Sequence, residues 1–597
     1  MTNAGSGAPP DLFDSNVSPW RFSAADRPPL RIGLLLDDSK LSRFSARIIE
    51  DIQASNFARI ELLVFKKKTT PSPAANQPKP GGLRRRLLDS KTRRQTLYEF
   101  YLKFDKRKKP ANHPLDKLDG SQVLAGIESM EVEPEGKKFV HKFPEESLER
   151  IRAKNLDVLI RFGFNILHGG ILQAARYGVW SYHHGDNDYY RGGPAHFWEL
   201  AEASPVSGVI LQVLTEELDG GKVLCKSLFP TQKTLFASAN RYAPYWGSTE
   251  FVIRKLNELH QFGWEHVEKM ALPPAPYQGK RKLYSKPTNL DMARWLAPVL
   301  LKKAIQYPFP RKPIKHWQIA IRAHRKPLFE GGDLEGFRWI DAPKGHFWAD
   351  PFGFEHAGKN WIFYENYSYA KKRAWIDCAE ISADGELISP TTCLDTADRH
   401  YSYPHIFRAG PEIYMVPESY DSLQVDLFRC EDFPTRWVRE RTLMRGKFVD
   451  TTIWQQDGLW WLLTTRAEPD PRAGCLFLFY AESLAGQWRF HPANPVSADA
   501  RFNRGAGRVF QAGDVRNSDL QNKGRWIRPS QANTPTYGYS FSLHEITKLN
   551  PTEYSEQLLT TFTPEYWKGM CGLHTYNRVG NFELMDGARY TRLKDVL

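Results

Sequence analysis

Gly178-Val179-Trp180-Ser181-Tyr182-His183 opens the stretch that decides the fold of the first half of the chain. The loop His184-Gly185-Asp186-Asn187-Asp188 follows, then Arg191-Gly192-Gly193-Pro194, a second apolar run at Gly208–Leu214, and Glu217-Leu218-Asp219-Gly220-Gly221. A short apolar run that stops at a Gly- and Asp-rich loop reads as a buried strand of a parallel sheet. A histidine at the carboxyl end of such a strand points into the crevice where these folds bind ligands. Asp219, in a strand-to-Gly-Gly turn, can return to the same crevice and pair with His183, holding the imidazole while it handles a proton. An isolated histidine is more often structural, so the pairing is what gives the reading its content.

Working outward, Arg31–Leu36 and Ile60–Phe65 are apolar runs flanking a segment with Phe44, Ile48, Ile49 and Ile52 at helical spacing, a βαβ unit. Glu145–Asn155 and Leu167–Arg176 read as helices, and Asp157–Phe162 as a strand between them. Residues 29–245 are therefore expected to be an α/β domain with a Rossmann-type, mostly parallel sheet. Residues 1–28 read as a loose, disordered leader. Residues 66–118 read as a basic insertion, with Lys66-Lys67-Lys68, Arg84-Arg85-Arg86 and Lys106-Arg107-Lys108-Lys109. It is either an anion-attracting arm or a solvated loop or helix. Residues 246–330 are expected to form a helical connector.

From about residue 335 helical spacing gives way to short aromatic and β-branched runs, such as Trp361–Tyr364, Glu412–Val416, Leu459–Leu463 and Leu476–Tyr480. Their spacing predicts the blades of an all-β propeller over 331–597, four strands to a blade, with a β-sandwich as the alternative.

The first half resembles the formyltransferase family, which includes the methionyl-tRNA, glycinamide ribonucleotide and sugar N-formyltransferases. The resemblance rests on Ser181-Tyr182-His183, Arg191-Gly192-Gly193-Pro194 and Leu218-Asp219-Gly220-Gly221, in the family's order. It implies 10-formyltetrahydrofolate as co-substrate, a tetrahedral oxyanion, His183 as proton acceptor, Asp219 as its orienting partner, and Phe164, Asn165, Ile166 and Leu167 beside the pterin. His184 and Arg191 are candidate substrate-binding residues. Ser181 stands where the family has an Asn that donates to the oxyanion. Losing such a donor costs roughly 2.7–4 kcal/mol in other enzymes. The family's apolar Ser-Leu-Leu-Pro loop is replaced by the polar residues 184–188.

The second half resembles the propeller of glucosamine inositolphosphorylceramide transferases and, more distantly, the five-bladed glycosidase propellers, which implies an all-β five-bladed β-propeller. The motifs are Ala349-Asp350-Pro351-Phe352, Ser402-Tyr403-Pro404-His405, Pro417-Glu418-Ser419, Val449-Asp450-Thr451-Thr452 and Arg528-Pro529-Ser530-Gln531. The carboxylates Asp350, Glu418 and Asp450 would converge on the central channel as acid, base and modulator of a sugar site. His405 and Arg528 would bind hydroxyls or an acidic sugar group. As alternatives, these are turn and blade-closure residues.

The leading expectation is an enzyme that formylates the amine of an amino sugar or glycan precursor. The alternatives are a glycan-processing hydrolase or glycosyl-transfer protein, or a glycan-binding propeller protein, with the first half degenerate. A net charge of +14 favours acidic partners, but no tRNA-binding tail is recognised and no specific nucleic acid is expected. Six scattered Cys offer neither a disulfide framework nor a zinc site, and no metal is expected. Without a secretory signal pattern or a spanning apolar run, the cytoplasm is expected.

Overall fold

The computed structural model describes residues 13–14, 18–67, 94–136, 139–273, 275–306, 313–323, 325–468, 474–512 and 524–597. Two compact units are present, Ser18–Phe309 and, with Met1–Val17, Pro310–Leu597.

The first unit is built on a seven-stranded sheet. Its strands are β1 (Leu30–Leu36), β2 (Ala58–Lys66), β3 (Ser129–Val132), β4 (Val158–Arg161), β5 (Val179–His183), β6 (Val206–Val213) and β7 (Lys222–Pro230). The order is β7-β6-β5-β4-β1-β2-β3. Strands β3, β2, β1, β4 and β5 are parallel, while β6 and β7 add antiparallel. The chain reverses its direction of growth between β1 and β4, which makes that junction the topological switch point. Helix α1 (Arg43–Gln53) starts on a Ser42 capping box and buries Phe44, Ile48, Ile49 and Ile52. Helices α2 (Thr96–Arg107), α3 (Glu145–Arg152), α4 (Ala237–Gly247), α5 (Glu250–Phe262), α6 (Trp264–Lys269) and α7 (Asn289–Gln306) complete the unit. The helix expected at 167–176 is only a 3-10 turn over Gly169–Gln173, as its paired glycines favour.

Parts of the expected leader, insertion and connector are structural. Residues 18–28 lie against α5: Trp20 is buried, Asn257 Nδ2 donates to the carbonyls of Trp20 and Phe22, and Ser23 Oγ meets His260 Nδ1 at 2.7 Å. Phe13–Asp14 adds a parallel strand to one propeller blade. Within the basic insertion, α2 buries Tyr98, Tyr101 and Asp105, whose carboxylate accepts from Ser238 N and Oγ. Lys68 and Arg84–Arg86 lie outside the described residues. The expected connector contributes α5, α6 and α7 to the α/β unit, and its last strand, Ile314–Ala323, to the propeller.

Five antiparallel sheets form the second unit. Blade one spans His346–Leu394, blade two Ser402–Arg445, blade three Phe448–Phe490 and blade four Arg504–Phe562. Blade five joins the two ends of the unit: Tyr576–Val579 and Phe582–Thr591 supply two strands, and Ile314–Ala323 pairs with the second of them. Ring closure by main-chain pairing removes an exposed sheet edge.

Three innermost strands carry the same irregularity. Ala349 and Phe352 oppose Glu365 and Phe363, Ser402 and His405 oppose Glu418 and Val416, and Val449 and Thr452 oppose Thr465 and Leu463. Each is a bulge with one extra residue, and each puts a non-glycine residue in the left-handed region: Asp350 at φ 50°, Tyr403 at 45° and Asp450 at 53°. Pro351 and Pro404 follow the first two, where a bulge leaves an N–H without a ladder partner.

Candidate functional site

In the α/β unit, β5 ends at His183 and the turn after β6 returns Asp219 to it. His183 Nδ1 lies 3.3 Å from Asp219 Oδ1, and both side chains are nearly buried. Asp219 sits at φ 53° and its other oxygen accepts from Gly192 N at 2.9 Å. The two groups named from sequence therefore meet. The rest of the arrangement is closed. His183 Nε2 is 2.8 Å from the Tyr190 carbonyl, which only accepts, so that nitrogen carries a proton and offers no lone pair to an amine. Ser181 Oγ accepts from Arg161 Nε at 2.9 Å and donates to the Tyr182 carbonyl, leaving no donor for an oxyanion.

Arg161, at the end of β4, occupies the crevice. It also donates to the carbonyls of Phe164 and Asn165, and burial lowers its pKa against the pull of Asp219 and Asp37. A cavity of about 330 Å³ lies beside it at the switch point, walled by Asp37, Ser42, Phe164, His184 and Tyr245 among others. Amide groups that a helix start would offer an anion are taken: Arg43 N and Phe44 N donate to the carbonyls of Asp116 and Pro114.

Four residues expected beside a pterin act in packing and loop geometry. Phe164 and Leu167 are core, Ile166–Leu167 pairs with Val140–His141, and Asn165 bonds to His141. His184 stacks on Tyr245 at 3.6 Å between ring centroids, and burial holds it neutral. Arg191 ties its own loop, donating to Asn187 O and pairing with Glu217. Phe164 and His184 also wall the cavity, whereas Asn165 and Arg191 are engaged by their own loops.

The propeller's second cluster is denser. Its three bulges connect through their backbone N–H groups: Asp350 N donates to Asp586 Oδ2 (2.9 Å), Tyr403 N to Asp350 Oδ2 (3.2 Å) and Asp450 N to Glu418 Oε2 (3.0 Å). These bonds make two groups, Asp586–Asp350–Tyr403 and Glu418–Asp450, and the Tyr403 hydroxyl reaches the bulged strand of the second group at Thr452 Oγ1. Asp450 is held by one edge of the Arg504 guanidinium, from Nε at 2.5 Å and Nη2 at 2.9 Å, and Glu418 lies 3.8 Å from the same group. Burial and the neighbouring Asp450 push Glu418 well above the usual carboxylate range, against the pull of Arg504. Burial pushes Asp350 up to about 7, with nearby His574 opposing the shift. Burial disfavours the charged form of His574, but Asp586 and Asp350 outweigh it and raise its pKa. The Asp586 contact is 2.6 Å.

The cluster therefore holds two compensated ion pairs, Asp450–Arg504 and Asp586–His574, and two carboxyl groups that favour their neutral form. Trp317 stacks on His574 at 3.9 Å, and Tyr537 lies over Arg504. Asp350, His574 and Asp586 bring ligand atoms within 4.8 Å of one another. Their donor types fit a small divalent cation, but His574 Nδ1 is already spent on Asp586.

His405 and Arg528 do not join this cluster. His405 is fully buried, bonds to Ile453, and burial with Arg508 lowers its pKa to about 3, so it is a neutral strut between strands. Arg528 forms a two-pronged ion pair with Glu556 inside blade four. Both were expected at the channel because they sit near strand starts, but their side chains alternate to the other side. Arg504, Tyr537, His574 and Asp586 were not anticipated. The recoverable signal was the repeat of Asp350, Tyr403 and Asp450 at matching bulge positions, 53 and 47 residues apart.

An α/β unit with a switch-point crevice and a closed five-bladed propeller with a buried acid–arginine cluster define the chain's architecture. Residues 340–580, within the propeller, match the family model described as glucosamine inositolphosphorylceramide transferase 1, N-terminal. Glucosamine inositolphosphorylceramide transferase 1 of Oryza sativa subsp. japonica is 32% identical over 232 residues, 38% of this chain and 29% of that protein. The protein of the same name in Arabidopsis thaliana is 30% identical over 216 residues, 35% of this chain and 27% of that protein. The chain thus spans less than a third of the length of these relatives. Among solved structures, glycinamide ribonucleotide transformylase 1 from Symbiobacterium toebii aligns with TM-score 0.25 and 12% identity over 41% of this chain and 87% of that one. Zg3597, a family 117 glycoside hydrolase from Zobellia galactanivorans, aligns with TM-score 0.30 and 11% identity over 46% and 91%.

Proposed function

We propose that the chain is a glycan-processing enzyme whose propeller cluster binds a sugar and works on its glycosidic bond, by transfer or hydrolysis. The observation that carries this is the placement of three strained bulge residues: Asp350 lies 3.6 Å from His574 and accepts from Tyr403 N, and Asp450 sits in the Arg504 clamp. A non-glycine residue in the left-handed region costs on the order of 1 kcal/mol or more, and such strain concentrates at functional sites. In this reading protonated Asp350 gives its proton to the departing glycosidic oxygen as its bond to the anomeric carbon breaks, water or an acceptor hydroxyl forms the new bond at that carbon, and the proton it releases returns to Asp350 through the His574–Asp586 pair. Asp450, ionised in the Arg504 clamp, faces the positive charge that develops on the sugar ring. Tyr537 and Trp317 supply the aromatic surface that sugar faces favour. The relatives' name supports a substrate drawn from sugar-bearing sphingolipid headgroups.

The test uses the full chain with inositol-phosphate glycans and glucosamine-containing donors, following binding by calorimetry and sugar release or transfer by mass spectrometry. Asp350→Asn is expected to retain binding and lose turnover. Turnover by Asp350→Asn at the wild-type rate would refute the assignment, and no sugar binding by the wild type would refute the site.

A second reading, formyl transfer from 10-formyltetrahydrofolate to an amino sugar in the cytoplasm, is favoured by the His183–Asp219 contact alone. It requires His183 to leave Tyr190 and Arg161 to stand in for the missing Asn. Release of tetrahydrofolate that vanishes in His183→Ala would establish it, and its absence would leave the α/β crevice without that role.

A further inference from the structure

Helices α2 and α7 run side by side in the same direction. Leu97 N donates to Asn289 Oδ1, Asn289 N donates to Arg94 O, and one turn further on Tyr101 packs against Trp295 at 5.5 Å between ring centroids. Their inner faces bury Tyr98, Tyr101 and Met292. Their outer faces are not those of an ordinary solvated pair. Leu97, Phe100 and Phe104 on α2 and Leu290, Leu300 and Leu301 on α7 are all exposed, Phe100 at 64% and Leu301 at 63%. Large apolar side chains grouped on an outer face mark an interaction surface.

Both acids on these helices that reach the surface, Glu99 and Asp291, are paired, with Lys286 and Arg281, so the charge left around the apolar side chains is positive. Lys103, Lys106, Arg107 and Lys108 at the end of α2, with Arg294 and Lys302 on α7, are exposed, and their side chains have no carboxylate partner among the described residues. Glu99, the acid on the outer face of α2, is engaged by Lys286 at 3.2 Å. We propose that this helix pair docks the protein on an anionic lipid surface, with Phe100, Phe104 and the leucines entering the headgroup–acyl boundary and the six cations facing lipid phosphates and carboxylates. Exposed Phe and Leu flanked by Lys and Arg are the composition of an interfacial helix. A second copy of the chain is disfavoured, since it would set like charges against each other. A nucleic acid would use the cations but gain nothing from the aliphatic leucines. The proposal stands apart from the sugar chemistry of the propeller.

Each cation near an anionic leaflet contributes about fivefold in partitioning, so Lys103→Ala with Lys106→Ala and Arg107→Ala is expected to weaken binding about 100-fold. Co-sedimentation of the full chain with phosphatidylcholine vesicles, with and without phosphatidylserine, measures it. Binding is expected only with phosphatidylserine, is lost in high salt, and is weakened more than tenfold by Phe100→Ala with Phe104→Ala. Phe104→Trp is expected to blue-shift its emission on those vesicles alone. Because all of these side chains are exposed, thermal unfolding should match the wild type. No binding to the anionic vesicles overturns the proposal. So does binding that the Phe variants leave unchanged, or a wild-type dimer that the same variants convert to monomer without any lipid binding.

Discussion

Asp350→Asn separates a buried neutral carboxyl from an ionised one. In the unfolded chain an Asp titrates near 3.9, whereas in the folded propeller burial holds Asp350 near 7. Between these values the folded state keeps a proton that the unfolded chain has released. Stability from this group is therefore fully present below about pH 4 and lost as pH rises to about 7. Three pH units at about 1.4 kcal/mol each give a loss of about 4 kcal/mol. Asparagine resembles the protonated acid: its carbonyl can accept from Tyr403 N and its amide can donate to Thr575 Oγ1, replacing the bonds the carboxyl makes. The variant escapes the penalty. It is expected to match the wild type near pH 4 and to exceed it at pH 8 by up to about 4 kcal/mol, on the order of 10 °C in melting temperature. Scanning calorimetry of both proteins across this range checks it. A stability difference that does not change with pH, or a variant less stable than wild type at pH 8, would show Asp350 ionised in the folded state and remove it as a proton donor.

Arg504→Met strands Asp450 in the interior and is expected to cost about 3–5 kcal/mol by urea unfolding, with part of that recovered in Asp450→Asn/Arg504→Met. Gly507→Ala sets a methyl 2.1 Å from the Tyr576 carbonyl at φ 134°, so a loss of about 3 kcal/mol or more is expected, read as a lower melting temperature of the propeller. Asn257→Ala removes both donors that hold the Trp20 and Phe22 carbonyls and is expected to cost about 2 kcal/mol, with faster limited proteolysis between residues 18 and 28. Retained protection of that segment would show that Trp20 packing alone anchors it.

The alternation of apolar strand, helix and Gly-rich loop through residues 30–230 determined a parallel sheet, because period and turn chemistry are local properties. The aromatic strand repeat beyond 335 determined blades for the same reason. It also brought Asp350, Glu418 and Asp450 into view, since a carboxylate beside a strand start is visible without coordinates. Tertiary structure alone decided what those groups do. His183 and Asp219 are 36 residues apart and do meet, yet Tyr190 and Arg161 take the hydrogen-bonding valences a transferase would need. His405 and Asp350 occupy similar motifs, but His405 bonds to Ile453 of the neighbouring strand whereas Asp350, at a bulge, lies beside His574. Which carboxyl is neutral, which cation pairs with it, and whether Ile314–Ala323 belongs to a connector or closes a ring depend on distances between segments far apart in the chain. Burial and through-space charge set those outcomes, and neither is written in any local stretch of residues.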